Sequence, residues 1–148
     1  MKAILIFILL GLTFSYNGEG AAAYAQKYCN NYNPDYNKYT EQAEESANFV
    51  SQCMSVGGGQ DFEGCGPKDN KGMFKNVLAL KNCLIKKGWK RDIFGHKGNP
   101  AFFNVASRAM IAVAEMDRSG LGLYSYHTPD RCNSKMGYKK LEFYTPPK

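Results

Sequence analysis

Five cysteines constrain what this chain can fold into, because crosslinks tie distant segments together. They stand far apart, with no closely spaced pair, at Cys29, Cys53, Cys65, Cys83 and Cys132. In an oxidising compartment such cysteines form disulfides. Since five is odd, we expect at most two bridges within the chain, and one thiol that stays free or links two chains into a dimer. We predict that Cys53 pairs with Cys83, and that either Cys29 or Cys65 pairs with Cys132.

The N-terminus indicates that the compartment is extracellular. Lys2 is followed by the apolar run AILIFILLGLTF and then by small and polar residues, which is the pattern of a secretory signal peptide. The run is too short for a transmembrane helix, which needs about 20 residues. The triplet AYA that ends at Ala25 fits the small-x-small cleavage rule. We therefore predict a signal peptide at residues 1–25 and one secreted domain at 26–148, with a cut after Gly20 as the alternative.

The chain is basic. It has 19 Lys and Arg against 13 Asp and Glu, a formal net charge of +6, and the predicted leader removes one charge of each sign. A basic extracellular protein is attracted to anionic lipid head groups, sulfated glycans and acidic proteins, whereas nucleic acid is not an expected partner outside the cell. Solubility alone is the plainer interpretation of the same charge.

Three segments have the apolar spacing of amphipathic helices. The first covers residues 40–54, where Thr40 is placed to cap the helix and glutamates follow near its positive end. The second covers residues 72–87, with two lysines in its last turn and Gly88 behind it. The third covers residues 99–120 and opens with an Asn-Pro start signal. Because this third segment is apolar around most of its circumference, we predict it as the central helix.

These patterns predict a mainly α fold, a small disulfide-stapled domain of about three helices. Its C-terminal tail is predicted to be irregular or a short β-hairpin. In the hairpin version, residues 121–126 and 139–145 form the strands and the turn-like sequence HTPDRCNSKMG joins them.

Four tyrosines precede the first predicted helix, namely Tyr28, Tyr32, Tyr36 and Tyr39. The residue before a proline disfavours helical backbone, so a short N-terminal helix is expected to end near Asn31. We interpret the tyrosines as amphipathic rings that cover the helices while their hydroxyls stay in water. A stacking platform for a glycan or another ligand is the alternative.

Few residues point to metal or hydrolytic chemistry. Zinc sites need closely paired Cys and His ligands, and His96 and His127 are the only histidines, so neither a metal nor a cofactor is predicted. The oxygen-bearing side chains of the Gly-rich segment 55–72, namely Asp61, Glu63, Asp69 and Asn70, do not follow the EF-hand pattern, and we interpret that segment as a solvated loop. Ser125 and Asp130 flank His127, but a triad is assembled in space. Each histidine is therefore interpreted as a polar turn residue.

The stretch GCGPKDNKGMFKNVLALKNCLIKKGW is similar to the layout of secreted phospholipase A2, in which a Gly-rich calcium loop precedes a helix with a Cys followed by His-Asp. Where His-Asp would stand, this chain has Lys86 and Lys87. The family uses that histidine to deprotonate water, which a protonated lysine does not do at neutral pH. The resemblance therefore implies a relative that is inactive as a hydrolase.

A cluster of cations surrounds the single tryptophan in the sequence IKKGWKRDIFGHKG. Its members are Lys86, Lys87, Trp89, Lys90 and Arg91. An indole ring with basic neighbours suits an anionic lipid interface or a sulfated polysaccharide. The alternative is a helix end with lysines that match the helix dipole, followed by a tryptophan packed on the core. We predict these five residues as the binding site.

Together these features predict a secreted, disulfide-stabilised, non-enzymatic binding protein of toxin, effector or extracellular-matrix type, acting on an anionic surface or an extracellular partner. Two alternatives remain. A divergent secreted hydrolase would need a histidine beside an Asp or Glu in a pocket. A carrier of a small apolar ligand would need a cavity within the helical core.

Overall fold

The computed structural model describes residues 15–103, 107–114, 122–127, 129–136 and 141–148. In chain order the helices and strands are α1 (Gly18–Tyr28), α2 (Gln42–Gln52), α3 (Val77–Lys86), β1 (Lys90–Asp92), β2 (Pro100–Phe103), β3 (Arg108–Ala112), β4 (Gly122–Tyr126), β5 (Arg131–Met136) and β6 (Leu141–Thr145). A π-helical turn, Cys53–Gly57, continues α2. None of the described helices is both long and apolar enough to cross a membrane.

The strands form one antiparallel sheet of six strands in the order β1-β6-β2-β3-β4-β5. The prediction of a mainly α domain is therefore wrong. Three helices combined with a six-stranded antiparallel sheet make an α/β fold.

The error lies in the segment predicted as the strongest helix, residues 99–120, which forms β2 and β3 where it is described. Successive side chains of a strand point to opposite faces of the sheet. In β3, Ala109 and Ile111 join the core cluster that the helices share, whereas Met110 and Ala112 join a second cluster. Because both faces are buried, residues 109–113 of this segment are all apolar. Periodicity alone does not distinguish such a strand from a buried helix.

The helix α2 is the central helix of the fold. All of its residues from 45 to 52 are buried, and it packs chiefly against β3 and the π-helical turn. Both α2 and α3 lie within the segments predicted as the first and second helices. The side chain of Asn76 caps α3 by accepting a hydrogen bond of 2.8 Å from the backbone N–H of Ala79, as expected of a good N-cap residue.

The helix α1 is also part of the packed core. Asn17 caps it by accepting a hydrogen bond of 2.9 Å from the backbone N–H of Gly20. Its alanine-rich face lies against the π-helical turn. The predicted signal peptide, residues 1–25, therefore ends inside α1, and its first 14 residues lie outside the described part of the chain. The helix ends at Tyr28, close to the predicted end near residue 31.

The C-terminal tail contains more strands than the predicted hairpin. The strands β4 and β6 coincide with the two predicted strands, although residues 121 and 139–140 lie outside the described residues. The predicted turn between them contains β5, which pairs with β4. The strand β6 instead lies between β1 and β2. The local sequence pattern did not indicate that β6 pairs with β1 and β2, which are distant from it in the chain.

Two disulfides join the chain, Cys29–Cys132 and Cys65–Cys83, and Cys53 is a free, buried thiol. The predicted Cys53–Cys83 bridge is wrong, because Cys83 bonds to the Gly-rich loop through Cys65. The Cys29–Cys132 bridge is one of the two predicted alternatives. Two disulfides are compatible with an extracellular location.

Candidate functional site

The predicted binding residues follow one another along the end of α3 and the edge strand β1. Lys86 is the last residue of α3, with Lys87 behind it, and Lys90 and Arg91 belong to β1. Adjacent strand residues point to opposite faces of a sheet, so Lys90 and Arg91 diverge. We use the name basic strip for the four cations of this edge, Lys86, Lys87, Lys90 and Arg91, which follow one another in sequence.

Trp89 does not belong to the exposed surface of that strip. Its side chain is only 3% exposed, and its ring contacts Tyr16 edge to face with 4.8 Å between the ring centroids. The indole N–H donates a hydrogen bond of 2.8 Å to Oε1 of Gln60. The prediction that this ring lies at a lipid interface does not fit the structure, because a ring packed in the core cannot meet a membrane. The alternative interpretation of a core tryptophan describes its position.

Acidic partners offset part of the basic strip. The Lys87 ammonium lies 3.6 Å from Asp61, and the Arg91 guanidinium lies 3.7 Å from Glu142. Lys86 donates a hydrogen bond of 2.9 Å to the carbonyl of Gly64. In the described part of the chain, neither Lys86 nor Lys90 takes part in an ion pair. These two exposed lysines supply the uncompensated charge of the strip.

A second cluster joins α2 to the end of β4 inside the protein. Glu45 and His127 are 82 positions apart in sequence, yet Oε1 of Glu45 lies 2.7 Å from Nδ1 of His127. The other ring nitrogen, Nε2, lies 2.8 Å from the carbonyl oxygen of Tyr28. A carbonyl can only accept, so Nε2 carries a hydrogen. Both nitrogens of the ring are therefore engaged by protein groups.

Aromatic rings and backbone groups enclose this pair. The His127 ring stacks on Phe49 and on Tyr32, with ring centroids 3.8 Å and 4.1 Å away. The second oxygen of Glu45 accepts a hydrogen bond of 2.6 Å from the backbone N–H of Tyr39 and one of 3.2 Å from Asn48. Glu45 is 0% exposed. The cluster is therefore a closed, hydrogen-bonded interior site, as buried charged groups require.

Sequence reasoning missed this cluster. His127 was expected to be a polar turn residue because it follows an apolar segment and precedes Thr-Pro-Asp, but it is 2% exposed. His96 fits that expectation better, since its ring is exposed and lies 3.3 Å from Asp92. Both histidines lie beside a carboxylate. A hydrolase would need such a pair, and it would also need the pair to lie in a pocket. Neither histidine lines the clefts that described residues form beside Lys86 and Lys87.

Candidate nucleophiles near the cluster are also enclosed. The Ser46 hydroxyl donates to the carbonyl of Ala43 at 3.2 Å and accepts from the backbone N–H of Ala109 at 3.1 Å. Ser46 is fully buried, and so is Cys53. Burial raises the pKa of the Cys53 thiol well above its usual range, so the thiolate that would act as a nucleophile is disfavoured.

In the Gly-rich loop, the Asp69 carboxylate stabilises the conformation of the loop. Asp69 accepts hydrogen bonds from the side chains of Asn37 and Tyr39 and from the backbone N–H groups of Lys71 and Met73. Burial acts to raise the pKa of Asp69, but these hydrogen bonds outweigh it and lower that pKa. Within the described residues, no three His, Cys, Asp or Glu side chains are grouped so as to hold a metal ion.

Two of the four tyrosines do not keep their hydroxyls in water as predicted, because Tyr32 and Tyr39 donate hydrogen bonds to carboxylates. The Tyr32 hydroxyl donates a hydrogen bond of 2.7 Å to Asp130, and the Lys38 ammonium lies 3.9 Å from the centre of its ring. Lysines also lie over the rings of Tyr28 and Tyr39. Rings that already carry such contacts do not form an open stacking platform.

Two open clefts border the basic strip. One, of about 240 Å³, is lined by residues that include Tyr16, Asp61 and Lys87. The other, of about 170 Å³, lies beside the Cys65–Cys83 disulfide. Both are partly polar and open to solvent, unlike the enclosed apolar cavity expected for a carrier of an apolar ligand.

A comparison with known protein families finds one described as a putative amidase domain, which matches residues 15–107. This match covers 93 of the 148 residues, including all three helices and the strands β1 and β2. No curated protein matches the chain. No solved structure matches it either.

Proposed function

Because the chain belongs to the family of putative amidase domains, we propose that it is a non-catalytic member of that family, which acts as an extracellular binding protein for an anionic surface or partner. The observation behind this proposal is the engagement of both ring nitrogens of His127, by Glu45 and by the Tyr28 carbonyl. A general base needs a ring nitrogen within hydrogen-bond reach of the proton that it removes.

The enclosed nucleophile candidates support the same proposal. Hydrolysis of an amide through a covalent intermediate needs a hydroxyl or thiol beside a base and within reach of the substrate. Ser46 and Cys53 are both 0% exposed, and the Ser46 hydroxyl is occupied by backbone partners. The Glu45–His127 pair then serves to hold α2 and β4 together.

The basic strip supports binding to an anionic partner. Lys86, Lys87, Lys90 and Arg91 lie along one edge of the sheet and the adjoining helix end, on a chain with a net charge of +6. Cations at an anionic lipid surface each contribute about 1 kcal/mol. Binding of this kind depends on salt concentration, because counterions screen exposed charges.

The test compares two variants of equal charge on heparin-agarose and on vesicles that contain phosphatidylserine. The strip variant replaces Lys86, Lys87, Lys90 and Arg91 with Gln. The control variant replaces four lysines outside the strip: Lys27, Lys38, Lys71 and Lys75. We expect the parent and the control to bind alike, and the strip variant to bind at least about tenfold more weakly. Equal retention of both variants would show that only net charge matters, and the assignment of the strip would be wrong.

A separate assay addresses the loss of catalysis. The purified protein is incubated with peptide and amino-acid amides, and released ammonia and new amino groups are measured. We expect the parent protein to release no more ammonia and to form no more new amino groups than the Glu45→Gln variant does. Turnover that disappears in the Glu45→Gln or His127→Gln variant, while each variant remains folded by circular dichroism, would overturn the non-catalytic assignment and leave the binding result untouched.

A further inference from the structure

The position of α1 bears on where the chain is processed. On α1, Ala21, Ala22 and Ala25 are each 0% exposed. The Tyr24 hydroxyl donates a hydrogen bond of 2.9 Å to Gln52 of α2 and accepts one of 3.0 Å from Asn33. These contacts join α1 to the centre of the fold, so α1 behaves as a structural element of the domain.

Within the described residues, contacts that hold α1 extend to Asn17 and Tyr16, just before the helix. The backbone N–H of Asn17 donates a hydrogen bond of 2.9 Å to the carbonyl of Gly58. The Tyr16 ring packs against Trp89, and its hydroxyl donates to the carbonyl of Gly98. Burial raises the pKa of Tyr16 well above its usual range. Tyr16 is therefore partly buried and packed against the core, whereas Ser15 is exposed.

The sequence offers a cleavage signal at this boundary. Thr13-Phe14-Ser15 directly follows the apolar run of the predicted leader, and it satisfies the rule that small residues stand one and three positions before the cut. We infer that the leader is cleaved between Ser15 and Tyr16, so that the mature chain begins at Tyr16. Hydrolysis by a leader peptidase adds one water across this peptide bond, giving a carboxylate on Ser15 and an ammonium group on Tyr16.

The cuts predicted from sequence alone are incompatible with the packing of α1. A cut after Ala25 removes the buried alanines and Tyr24, and leaves their partners on the π-helical turn facing water. A cut after Gly20 removes the Asn17 cap and the Tyr16 anchor. The cut before Tyr16 is the one of the three that keeps every described contact of α1.

The first experiment secretes the full-length chain from a eukaryotic host and determines the N-terminus of the released protein by Edman sequencing and intact mass. The expected first residue is Tyr16. The rival products differ from it by residues 16–20 or 16–25, a difference that intact mass resolves. A product that begins at Ala21 or Gln26, or a full-length product in the medium, would overturn the inference.

A matched pair of variants tests cleavage of the same peptide bond, and the comparison does not depend on how much protein is secreted. Ser15 and Ala23 are both exposed, so a leucine at either position leaves the core intact. Ser15→Leu puts a large residue one position before the inferred cut, and Ala23→Leu puts one three positions before the cut after Ala25. We expect the Tyr16 product to be lost in Ser15→Leu and unchanged in Ala23→Leu. The reverse pattern, or normal processing of Ser15→Leu at Tyr16, would contradict the inference.

Discussion

Oε1 of Glu45 lies 2.7 Å from Nδ1 of His127, with both side chains almost completely excluded from water. This contact joins the central helix to the end of β4, and the Tyr28 carbonyl adds α1 through the other ring nitrogen. It makes the histidine part of the framework of the fold. The same residues would be available for catalysis only if the ring could leave one of its two partners.

Replacing one member of this pair should strongly destabilise the protein. Glu45→Gln leaves a buried histidine without its charged partner, for which a loss of about 3–5 kcal/mol in the free energy of unfolding is typical. Urea unfolding followed by circular dichroism measures this loss. Glu41→Gln, at the exposed N-cap position just before the same helix, is the control, with an expected change below about 0.5 kcal/mol. Similar values for the two variants would mean that the pair has no special structural role.

The free thiol of Cys53 should be unreactive until the protein unfolds. Cys53 is 0% exposed, and burial raises the pKa of its thiol. A maleimide reagent should therefore label the native protein at least about a hundredfold more slowly than the urea-unfolded protein. Val56, 48% exposed, provides the control, since Val56→Cys should be labelled rapidly in the native state.

The burial of Cys53 also argues against the predicted disulfide-linked dimer. A sulfur in the core cannot reach a second chain without local unfolding, so non-reducing electrophoresis of the native protein should give a monomer band. A dimer band that disappears in Cys53→Ala would show that this thiol becomes accessible after all.

Removing the Glu142 carboxylate should destabilise the protein in a pH-dependent manner. The hydrogen bond from Lys81 is the largest of the causes that lower the pKa of Glu142, and the pair is mostly buried. We expect Glu142→Gln to lower the free energy of unfolding by about 2 kcal/mol at pH 7. A group with a lowered folded pKa stabilises above its unfolded value, about 4.3 for Glu. The difference between parent and variant should therefore shrink as the pH falls below about 4.

The exposed ion pair between Lys75 and Glu44 is the matched control. Its charged atoms are 3.8 Å apart, and its side chains are 46% and 40% exposed. Such pairs contribute little, so Glu44→Gln should change stability by less than about 0.5 kcal/mol at any pH. A Glu142→Gln variant whose deficit stays constant from pH 7 to pH 3 would contradict the assignment to the ionised pair.

Gly98 should tolerate no side chain, because the backbone of α1 lies against it. Its φ is +78°, and an added Cβ would stand 1.8 Å from the carbonyl oxygen of Gly18. Gly98→Ala is expected to cost about 3 kcal/mol or more, through the clash and the backbone strain together. Gly72 has a similar φ of +80° with open space around it, so Gly72→Ala should cost only about 1 kcal/mol. Equal midpoints of urea unfolding for the two variants would show that the backbone of α1 is not packed against Gly98.

Part of the fold follows from local patterns. The segments 40–54 and 72–87 contain α2 and α3 because helix spacing and end signals act over neighbouring residues. The strands β4 and β6 were also predicted, but their partners in the sheet were not. The segment 99–120 was misassigned because burial on both faces of the sheet removes the alternation that identifies a strand.

The candidate site was less predictable than the helices. The basic residues Lys86, Lys87, Lys90 and Arg91 can be read directly from the sequence, but the burial of Trp89 depends on packing against Tyr16 and Gln60. Glu45 and His127 have no common sequence signal, since 82 positions separate them. Only the pairing of β4 in the sheet brings His127 to the side of α2.

By itself the sequence determined the excess of basic residues, the odd number of cysteines and the helix end at Gly88, since each depends on composition or on a few adjacent residues. The tertiary structure decided which thiol stays free, which face of each strand is buried and which carboxylate His127 meets. These outcomes depend on contacts between residues far apart in the chain. Such contacts form only when burial of the whole core offsets the entropy of ordering the segments between them.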